Sequence, residues 1–418
     1  MKEFFKHYGQ TVILLLSIII GAIIGLIWKE GATVLSPFGD IFLNLMFVII
    51  VPLVFLTIST SIARIKQPKR LGKIMGSIIL VIVITSIIAV VVGLLSTVFI
   101  KLVNVEDGKE ILASLEENSE EVQETEELNI LERTVSAITV SDFTGLLSKN
   151  NLIALVIFSI LFGCAIKMSG EKAKPVQEFL ESATDVVMNL LKIVMYYAPI
   201  GLGCYFAAIV GSFGANVALG YAKTFVIYLI VSVVYYFAMY TIYAFIAGKK
   251  KGVKAFWKNV IPPTVTALAT CSSGASIPVN IEATEKMGVS KDIAETSIPL
   301  GTNLHKDGSI IGSVFKVMFL VCLFGTNIAT FGGVMQVLLV SLVATLLVTA
   351  VPIGGGTISE MMIISMMGYP MTALPILTVI ATIIDCPATV LNVVGNTSSA
   401  MLVSKIVDGK KTEFNGWV

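Results

Sequence analysis

Long apolar runs make up most of this chain, and charged residues are concentrated in the shorter segments between them. A helix of about 20 apolar residues crosses a hydrocarbon core of roughly 30 Å. The runs that predict ordinary crossings cover residues 12–28, 38–65, 74–103, 151–166, 183–210 and 221–247. No small-residue cleavage site follows the first run, so it predicts a retained helix and not a signal peptide.

From residue 260 onward the apolar runs are interrupted by Gly, Ser and Pro. These broken runs cover residues 261–281, 298–324, 334–367 and 374–407. An unsatisfied backbone polar group in lipid is so costly that such breaks persist only where protein or a water-filled cavity surrounds them. Two of the runs have a small polar tip at mid-length, at residues 271–278 and 351–357. They predict helical hairpins that re-enter the membrane from opposite faces.

The charges between the runs predict the orientation of the chain. Every second connecting segment is basic, and basic segments stay on the cytoplasmic side. The basic residues are Lys2 and Lys6; Arg64, Lys66, Lys69, Arg70 and Lys73; Lys167, Lys172 and Lys174; and Lys249, Lys250, Lys251, Lys254 and Lys258. Residues 106–132 are strongly acidic and predict a solvated extracellular loop. Both termini are then cytoplasmic, provided that the last third crosses an even number of times.

Composition excludes several classes of protein. The chain is 56% hydrophobic and 14% charged, and so few charges could not cover a soluble enzyme with this much apolar material. Lys and Arg number 29 against 28 Asp and Glu, which leaves no surplus for binding nucleic acid. The five cysteines include no CxxC pair, so neither a disulfide framework nor a zinc site is predicted.

Two of the broken runs carry polar groups at mid-membrane depth. Residues 301–309 interrupt one helix and include Asp307. On the last helix Asp385, Thr389, Asn392 and Asn396 are spaced by four, three and four residues, so one helical face carries them all. Because an ionisable residue inside a bilayer is costly, it marks a transport pathway or a binding site.

The order of hairpin, broken helix, hairpin and polar helix resembles the glutamate transporter family, the dicarboxylate/amino acid:cation symporters, over nearly the whole chain. The motifs that carry the resemblance are Ser272-Ser273-Gly274 with Ile277-Pro278, Ile298-Pro299-Leu300-Gly301 leading to Asp307-Gly308-Ser309, Val351-Pro352 with its glycines, Asn392-Val393-Val394-Gly395-Asn396, and Tyr197-Ala198-Pro199-Ile200-Gly201.

The resemblance implies an all-α integral membrane protein of the cell membrane, with eight transmembrane helices and two re-entrant hairpins in inverted repeats. It also implies a homotrimer and an elevator-type movement, with the second hairpin as the outer gate. Residues 1–73 and 149–217 are then expected to form the scaffold, residues 74–103 and 218–418 the transport domain, and residues 104–148 the acidic extracellular loop.

The resemblance also implies a substrate site between the two hairpin tips, in which Asp385 holds an amino group. The expected contacts are Ser272, Ser273, Ser309, Val351, Gly355, Asp385, Ala388, Thr389 and Asn392. The family usually has an arginine at the position of Ala388, where it grips an acidic side chain. Without that guanidinium, a neutral amino acid is favoured over an acidic one or a dicarboxylate, although Lys306 could supply a replacement charge.

The expected cation positions also depart from the family pattern. They are Thr85, Ser86, His305, Lys306, Asp307, Asn392 and Asn396. Where the family commonly reads Asn-Met-Asp-Gly-Thr this chain has His305-Lys306-Asp307-Gly308-Ser309, and a late aspartate is Asn396. We expect no organic cofactor and either Na⁺ or H⁺ as the coupling ion, with sodium the one metal expected. The hypothesis is that the Lys306 ammonium replaces a bound sodium near Asp307 or Asp385, and that His305 links transport to protons.

Plainer interpretations stay open for the same residues. Ser272 and Ser273 could simply ease helix packing, and Lys306 could extend to the membrane interface. His305 could be a hydrogen-bonded structural residue, and Asn396 either a weak ligand or a helix-packing group. Cys271 and Cys386 are expected to fill space.

Three classes of function follow from these observations. A secondary transporter fits the hairpins and polar tips, and a sodium-independent exchanger is a variant of this class. The expected partners are a small amino acid or dicarboxylate as substrate and membrane lipid. An ion channel would need a symmetric pore lining and a selectivity ring. An intramembrane aspartyl protease is a remote alternative, because Asp307 and Asp385 superficially supply its two acids.

Overall fold

The computed structural model describes residues 2–63, 71–103, 139–148, 151–213, 215–328, 330–346 and 355–409, and every regular element in these ranges is helical. The predicted acidic loop lies mostly outside the described residues, as do Arg64, Lys66, Lys69 and Arg70. The helices are α1 (Lys2–Trp28), α2 (Ser36–Ala63), α3 (Leu71–Thr97), α4 (Phe143–Leu146), α5 (Leu152–Ser169), α6 (Lys174–Phe213), α7 (Ala215–Asn259), α8 (Ile261–Thr270), α9 (Ile277–Lys286), α10 (Lys291–Leu304), α11 (Asp307–Leu323), α12 (Phe331–Leu346), α13 (Gly355–Met367) and α14 (Leu374–Asp408).

Several of these helices meet the physical requirement for crossing a membrane. Within the described residues, four stretches are long and apolar enough: Leu16–Phe42, Lys73–Thr97, Val217–Asn259 and Met371–Asp408. The stretches Ile157–Val194 and Tyr196–Ser212 meet at 49° and make a fifth if they form one span. The eight crossings stay a prediction.

One group of helices is built around α6, against which α1 and α2 pack, while α5 packs against α2. The contacts are close: the hydroxyls of Thr60 and Thr184 lie 3.3 Å apart, and Ser59 donates to the Ser159 carbonyl at 3.1 Å. The sequence predicts residues 183–210 as the crossing, but α6 begins nine residues earlier. Its first turns are amphipathic, and good helix formers there extend the helix beyond the apolar run.

A second group is built around α14, which contacts α7, α8, α9, α10, α11 and α3. The core of this group contains large side chains that are fully buried, among them Tyr228, Phe315 and Phe319. α12 and α13 pack against each other and against α11. The polar face of α14 is therefore surrounded by protein over most of its length.

Within α7 the chain reverses direction at Gly248 and Lys249, whose backbone angles are not helical; the φ of Lys249 is 51°. After the reversal, residues 250–259 run back along residues 215–247, the first part of α7. Trp257 stacks on Phe237 with ring centroids 5.3 Å apart and donates to the Thr241 hydroxyl at 3.0 Å. The basic segment that the sequence predicts as a connection before residue 261 is instead helical. The sequence did not indicate this helix, because the lysines in the segment interrupt the pattern of its apolar residues.

That returning helix leads directly into the first predicted hairpin. α8 and α9 pack against each other and against α14, with residues 271–276 as the non-helical tip between them. Prolines at the starts of both arms fit a first helical turn, where no backbone donor is needed. α12 and α13 form the arms of the second predicted hairpin, and most of its tip lies outside the described residues.

Candidate functional site

The helix break that the sequence predicts between residues 301 and 309 lies at His305 and Lys306. α10 ends at Leu304 and α11 begins at Asp307. Between them His305 is extended, with φ of −104° and ψ of 106°, and Lys306 has φ of −138° and ψ of 64°, which is not helical either. The break turns the His305 side chain inward, toward Thr85 of α3 and Asn396 of α14.

The imidazole of His305 is fully buried and lies among oxygen atoms from three other elements. Its Nε2 is 2.7 Å from Thr85 Oγ1 and 3.1 Å from Asp307 Oδ1, and its Nδ1 is 3.1 Å from Asn396 Oδ1. Thr85 Oγ1 itself donates to the Val81 carbonyl at 2.9 Å and is thus free to accept from the ring. With the Asn396 amide in this orientation, both ring nitrogens face acceptors, which is the arrangement an imidazolium satisfies.

The second oxygen of Asp307 is bound by a tyrosine that the sequence analysis did not single out. Tyr235 donates to Asp307 Oδ2 at 3.2 Å, and its hydroxyl lies 3.3 Å from that of Tyr243. On the same helix Tyr228 donates to the Gly308 carbonyl at 2.8 Å and Tyr240 to the Leu391 carbonyl at 2.6 Å. These tyrosines satisfy groups around the break. In the sequence, the concentration of tyrosines in α7 was the one feature that could have indicated this role.

The polar face of α14 reaches the same place. Asn392 accepts from the Ser309 backbone N–H at 3.2 Å and donates to the Ser309 hydroxyl at 3.0 Å. Ala388 and Thr389 are buried, whereas the side chain of Asp385 is exposed. Asp385 therefore lies at the open end of this face, where its carboxylate is accessible.

Two glycines allow these elements to approach closely. A Cβ at Gly395 would lie 3.1 Å from His305 Cε1, 3.1 Å from Tyr240 Oη and 3.2 Å from Asp307 Oδ2. A Cβ at Gly308 would meet the backbone of Ala388, with its Cα at 2.8 Å. The glycines in the Asp307-Gly308-Ser309 and Asn392-to-Asn396 motifs are therefore required by packing.

The tip of the first hairpin is ordered by its own hydrogen bonds. Ser272 accepts from the Ala275 backbone N–H through its hydroxyl at 3.2 Å, and its carbonyl accepts from the Ser276 hydroxyl at 3.0 Å. Ser273 is half-buried beside it. Further down the second arm, Asn280 donates to the Val393 carbonyl at 2.9 Å and accepts from Thr397, which joins the hairpin to α14.

The other residues predicted for the site make fewer contacts with the residues around His305 or lie outside the described ranges. Val351 lies outside the described residues, and Gly355 is the first residue of α13. Ser86 is buried, and its hydroxyl is one of the side-chain polar atoms in the described residues without a hydrogen-bond partner. Lys306 is half-buried. Cys271 and Cys386 are both half-buried, and Cys386 Sγ lies 4.0 Å from the Leu268 carbonyl.

A buried ion pair near this site was missed by the sequence analysis. Lys316 Nζ lies 3.1 Å from Glu360 Oε1, and Thr378 donates to Glu360 Oε2 at 2.8 Å. The side chains of Lys316 and Glu360 are 8% and 1% exposed. The pair joins α11, α13 and α14. Each residue is a lone charge in an apolar run, and this is the signal that could have indicated them.

The donor set suits a small cationic group and not a transition metal. Within the described ranges, no cluster of three or more His, Cys, Asp or Glu side chains could hold a metal ion. Hydroxyl, amide and carboxylate oxygens, as in Thr85, Asn396 and Asp307, suit a hard cation, and the His305 ring lies among them. Thr85, His305, Asp307 and Asn396 thus come together, as do Ser309 and Asn392.

The sequence is similar to known transport proteins over most of its length. The chain is similar to the proton/sodium-glutamate symport protein of Bacillus caldotenax, with 28% identity over 411 residues, which cover 96% of this chain and 95% of the relative. It is 26% identical over 402 residues to the protein of that name from Bacillus subtilis (strain 168), covering 95% of this chain and 92% of the relative. A C4-dicarboxylate transport protein of Acidovorax ebreus (strain TPSY) is 28% identical over 344 residues, covering 81% of this chain and 74% of the relative.

The profile of the sodium:dicarboxylate symporter family matches residues 11–406, which is nearly the whole chain. The relatives and the family are transporters and not enzymes, so the prediction of a transporter is confirmed and the aspartyl protease alternative is set aside. Together with the apolar helices, this makes the chain a multi-pass membrane protein. The chain belongs to the sodium:dicarboxylate symporter family.

Proposed function

We propose that this protein is a cation-coupled secondary transporter that carries a small amino acid or a dicarboxylate across the cell membrane. The observation that carries the proposal is the broken helix at His305 and Lys306, whose buried polar groups contact Asn392 and Asn396 on α14. The relatives are named as symporters of glutamate with protons or sodium, or as C4-dicarboxylate transporters. Na⁺ and H⁺ are therefore the candidate coupling ions.

A neutral amino acid is the favoured substrate. Asp385 is exposed at the end of the polar face and can bind an ammonium group, while Ala388 offers no charge to bind a second carboxylate. An acidic amino acid or a dicarboxylate is the alternative, and the names of the relatives favour it. Introducing Ala388→Arg is expected to raise acidic-substrate uptake at least tenfold relative to neutral uptake, since a charge-assisted bond contributes about 1.5–3 kcal/mol.

An elevator movement and a homotrimer complete the proposal. The division into a group around α6 and a group around α14 supports a scaffold and a transport domain. Hairpin arms α8 and α9 pack on α14 and would move with it. The basic segments support a cytoplasmic location for both termini. Single-molecule mass measurement of the purified protein tests the trimer, and a monomer or dimer would contradict it.

The coupling ion depends on which side chain, His305 or Lys306, lies beside Asp307. The sequence suggests Lys306 as a tethered cation, but the contact to Asp307 comes from the neighbouring His305. We infer that the imidazole takes the position that a cation would occupy among Thr85, Asp307 and Asn396. A sodium-independent exchanger is the second candidate function, because a ring in this position leaves no room there for the ion.

Counterflow of labelled amino acids in liposomes tests the whole proposal. Only a carrier exchanges internal for external substrate, so accumulation of label against unlabelled substrate is expected. Repeating the assay with sodium, without sodium and at two pH values separates the symporter from the exchanger. Failure of every amino acid and dicarboxylate to exchange would contradict the assignment.

His305→Asn and Lys306→Met distinguish the two tethered groups. If the imidazole occupies the cation position, His305→Asn is expected to increase sodium dependence, while Lys306→Met leaves it unchanged. A change confined to Lys306→Met would favour the ammonium. Sodium dependence of the wild type that neither variant alters would contradict both.

A further inference from the structure

Two cysteines meet where the first hairpin packs against α14. Cys271 is the first residue after α8 and opens the hairpin tip, and Cys386 follows Asp385 on α14. The Cys386 Sγ lies 4.0 Å from the carbonyl of Leu268, in the last turn of α8. The two thiols are in turn close enough for a side-chain hydrogen bond with each other. The contact between the tip and α14 therefore contains a pair of neighbouring thiols.

The backbone at Cys271 is unusual for a residue that has a side chain. Its φ is 45° and its ψ is 34°, which is the left-handed region, and its N–H donates to the Ala267 carbonyl at 2.9 Å. Helices often end on a residue in this conformation, and that residue is usually glycine, because a Cβ is unfavourable there. Glycine would thus suit this position better than a residue that only fills space, and the cysteine indicates a chemical role for the thiol.

A small soluble reagent can reach the pair. Both cysteines are half-buried. Gly274 and Ala275, at the same tip, are exposed, and so is Asp385 beside Cys386. Disulfides between accessible cysteines are the labile ones that form and break reversibly, in contrast to buried structural disulfides.

We propose that Cys271 and Cys386 form a reversible disulfide that joins the tip of the first hairpin to α14. The oxidant is a low-molecular-weight disulfide, such as oxidised glutathione. The thiolate of one cysteine attacks a sulfur of this disulfide and releases one thiol, and the second cysteine then attacks the mixed disulfide and releases the other. The protein loses two S–H bonds and gains one S–S bond, while two electrons and two protons pass to the released thiols.

The disulfide would act on the proposed substrate site, and this consequence rests on the proposed function. Ser272 and Ser273 follow Cys271 at the tip, and Asp385 precedes Cys386 on α14. A covalent bond between the two cysteines therefore holds the serines and the carboxylate at a fixed separation. Substrate that enters or leaves between these groups needs them to move apart, so the oxidised protein is expected to be inactive until it is reduced.

The test treats the full chain, purified and reconstituted in liposomes, with oxidised glutathione and then with dithiothreitol. Peptide mapping by mass spectrometry is expected to find residues 271 and 386 in one pair of disulfide-linked peptides, which dithiothreitol separates. Uptake should fall in proportion to the fraction of linked protein and return on reduction. Because the mapping needs no substrate, a linked protein that never transports when reduced would contradict the proposed function and not the disulfide.

Cys322→Ser is the matched control, since Cys322 is a half-buried cysteine on α11 outside the pair. It should keep the linked peptides and the loss of uptake, whereas Cys386→Ser should lose both. In the second variant, Cys271→Gly, glycine suits the left-handed backbone, so the melting temperature should stay or rise while uptake becomes insensitive to the oxidant. Mixed disulfides that never resolve, linkage to another cysteine, or unchanged uptake after complete linkage would overturn the proposal.

Discussion

The ring of His305 has almost no free space around it. Gly395 lies against the ring, the Tyr240 hydroxyl and the Asp307 carboxylate, and any Cβ there would contact all three at 3.1 to 3.2 Å. We therefore expect Gly395→Ala to lower the free energy of unfolding by about 1–3 kcal/mol through overpacking. The measurement is the melting temperature of the purified protein, with substrate uptake as a second readout.

Gly76→Ala is the matched control for this substitution. Gly76 lies within α3 and has nothing within 4 Å of its added Cβ, so alanine should be neutral or stabilising by up to about 1 kcal/mol. Equal melting temperatures for the two alanine variants would contradict the close packing around His305.

The ion pair between Lys316 and Glu360 gives a second prediction for single residues. Removing one partner of a buried pair leaves an uncompensated charge, so Lys316→Met is expected to cost about 3–5 kcal/mol of stability. The double variant Lys316→Met/Glu360→Met should recover most of this loss, because neither charge then stays buried. Thermal unfolding of both variants checks the expectation.

An exposed pair provides the comparison. Lys286 and Glu282 are 2.6 Å apart with side chains 62% and 67% exposed, so Lys286→Met should change stability by less than about 1 kcal/mol. A double variant at 316 and 360 that is less stable than Lys316→Met would show that the pair does not act as a unit.

Single residues were predicted from the sequence to very different extents. Asp307, Asn392 and Asn396 belong to motifs with a recognisable spacing, and Thr85 was expected from the family resemblance; the structure brings each of them to the break. Which of two adjacent residues points inward at the break depends on backbone angles that no residue pattern encodes. Partners far apart in sequence, such as Lys316 and Glu360, cannot be paired until the helices are packed.

At the scale of elements, the first hairpin is attached to α14 through Asn280. Its amide bonds both the Val393 carbonyl and the Thr397 hydroxyl. Asn280→Ala is expected to cost about 1–3 kcal/mol, because it removes two buried hydrogen bonds between the hairpin and α14. The control is Asn259→Ala, which loses only a bond to Ala255 within its own helix. Similar melting temperatures for the two variants would contradict the attachment.

The sequence predicted the order of elements well and their ends poorly. Apolar runs located most helices, and glycine and proline located the tip of the first hairpin and the break. The returning helix before α8, residues 250–259, was not predicted, because its contacts with residues 215–247 are tertiary. Trp257 stacking on Phe237 is a contact between residues 20 positions apart that only the reversal at Lys249 makes possible.

At the scale of the whole molecule, an elevator requires the α6 group to slide past the α14 group. Tyr205 of α6 donates to the Thr372 carbonyl at 2.7 Å, across the two groups. In a variant without native cysteines, cross-linking Tyr205→Cys to Thr372→Cys with a short bis-maleimide is expected to stop transport. Uptake into liposomes before and after cross-linking is the measurement.

A second pair lies within one group. Thr60 and Thr184 join α2 to α6, so cross-linking Thr60→Cys to Thr184→Cys with the same reagent should leave most of the uptake. Full transport after complete cross-linking at 205 and 372 would mean that these groups do not slide past each other.

The contacts of His305 affect how an ion gradient would drive transport by such a carrier. A positive group bonded to the polypeptide never dissociates, so its effective concentration at the site does not depend on the salt on either side of the bilayer. If the ring takes the place of one ion, fewer charges travel with each molecule of cargo. The steepest gradient that the protein could sustain would then be smaller than that of a relative that binds an additional sodium.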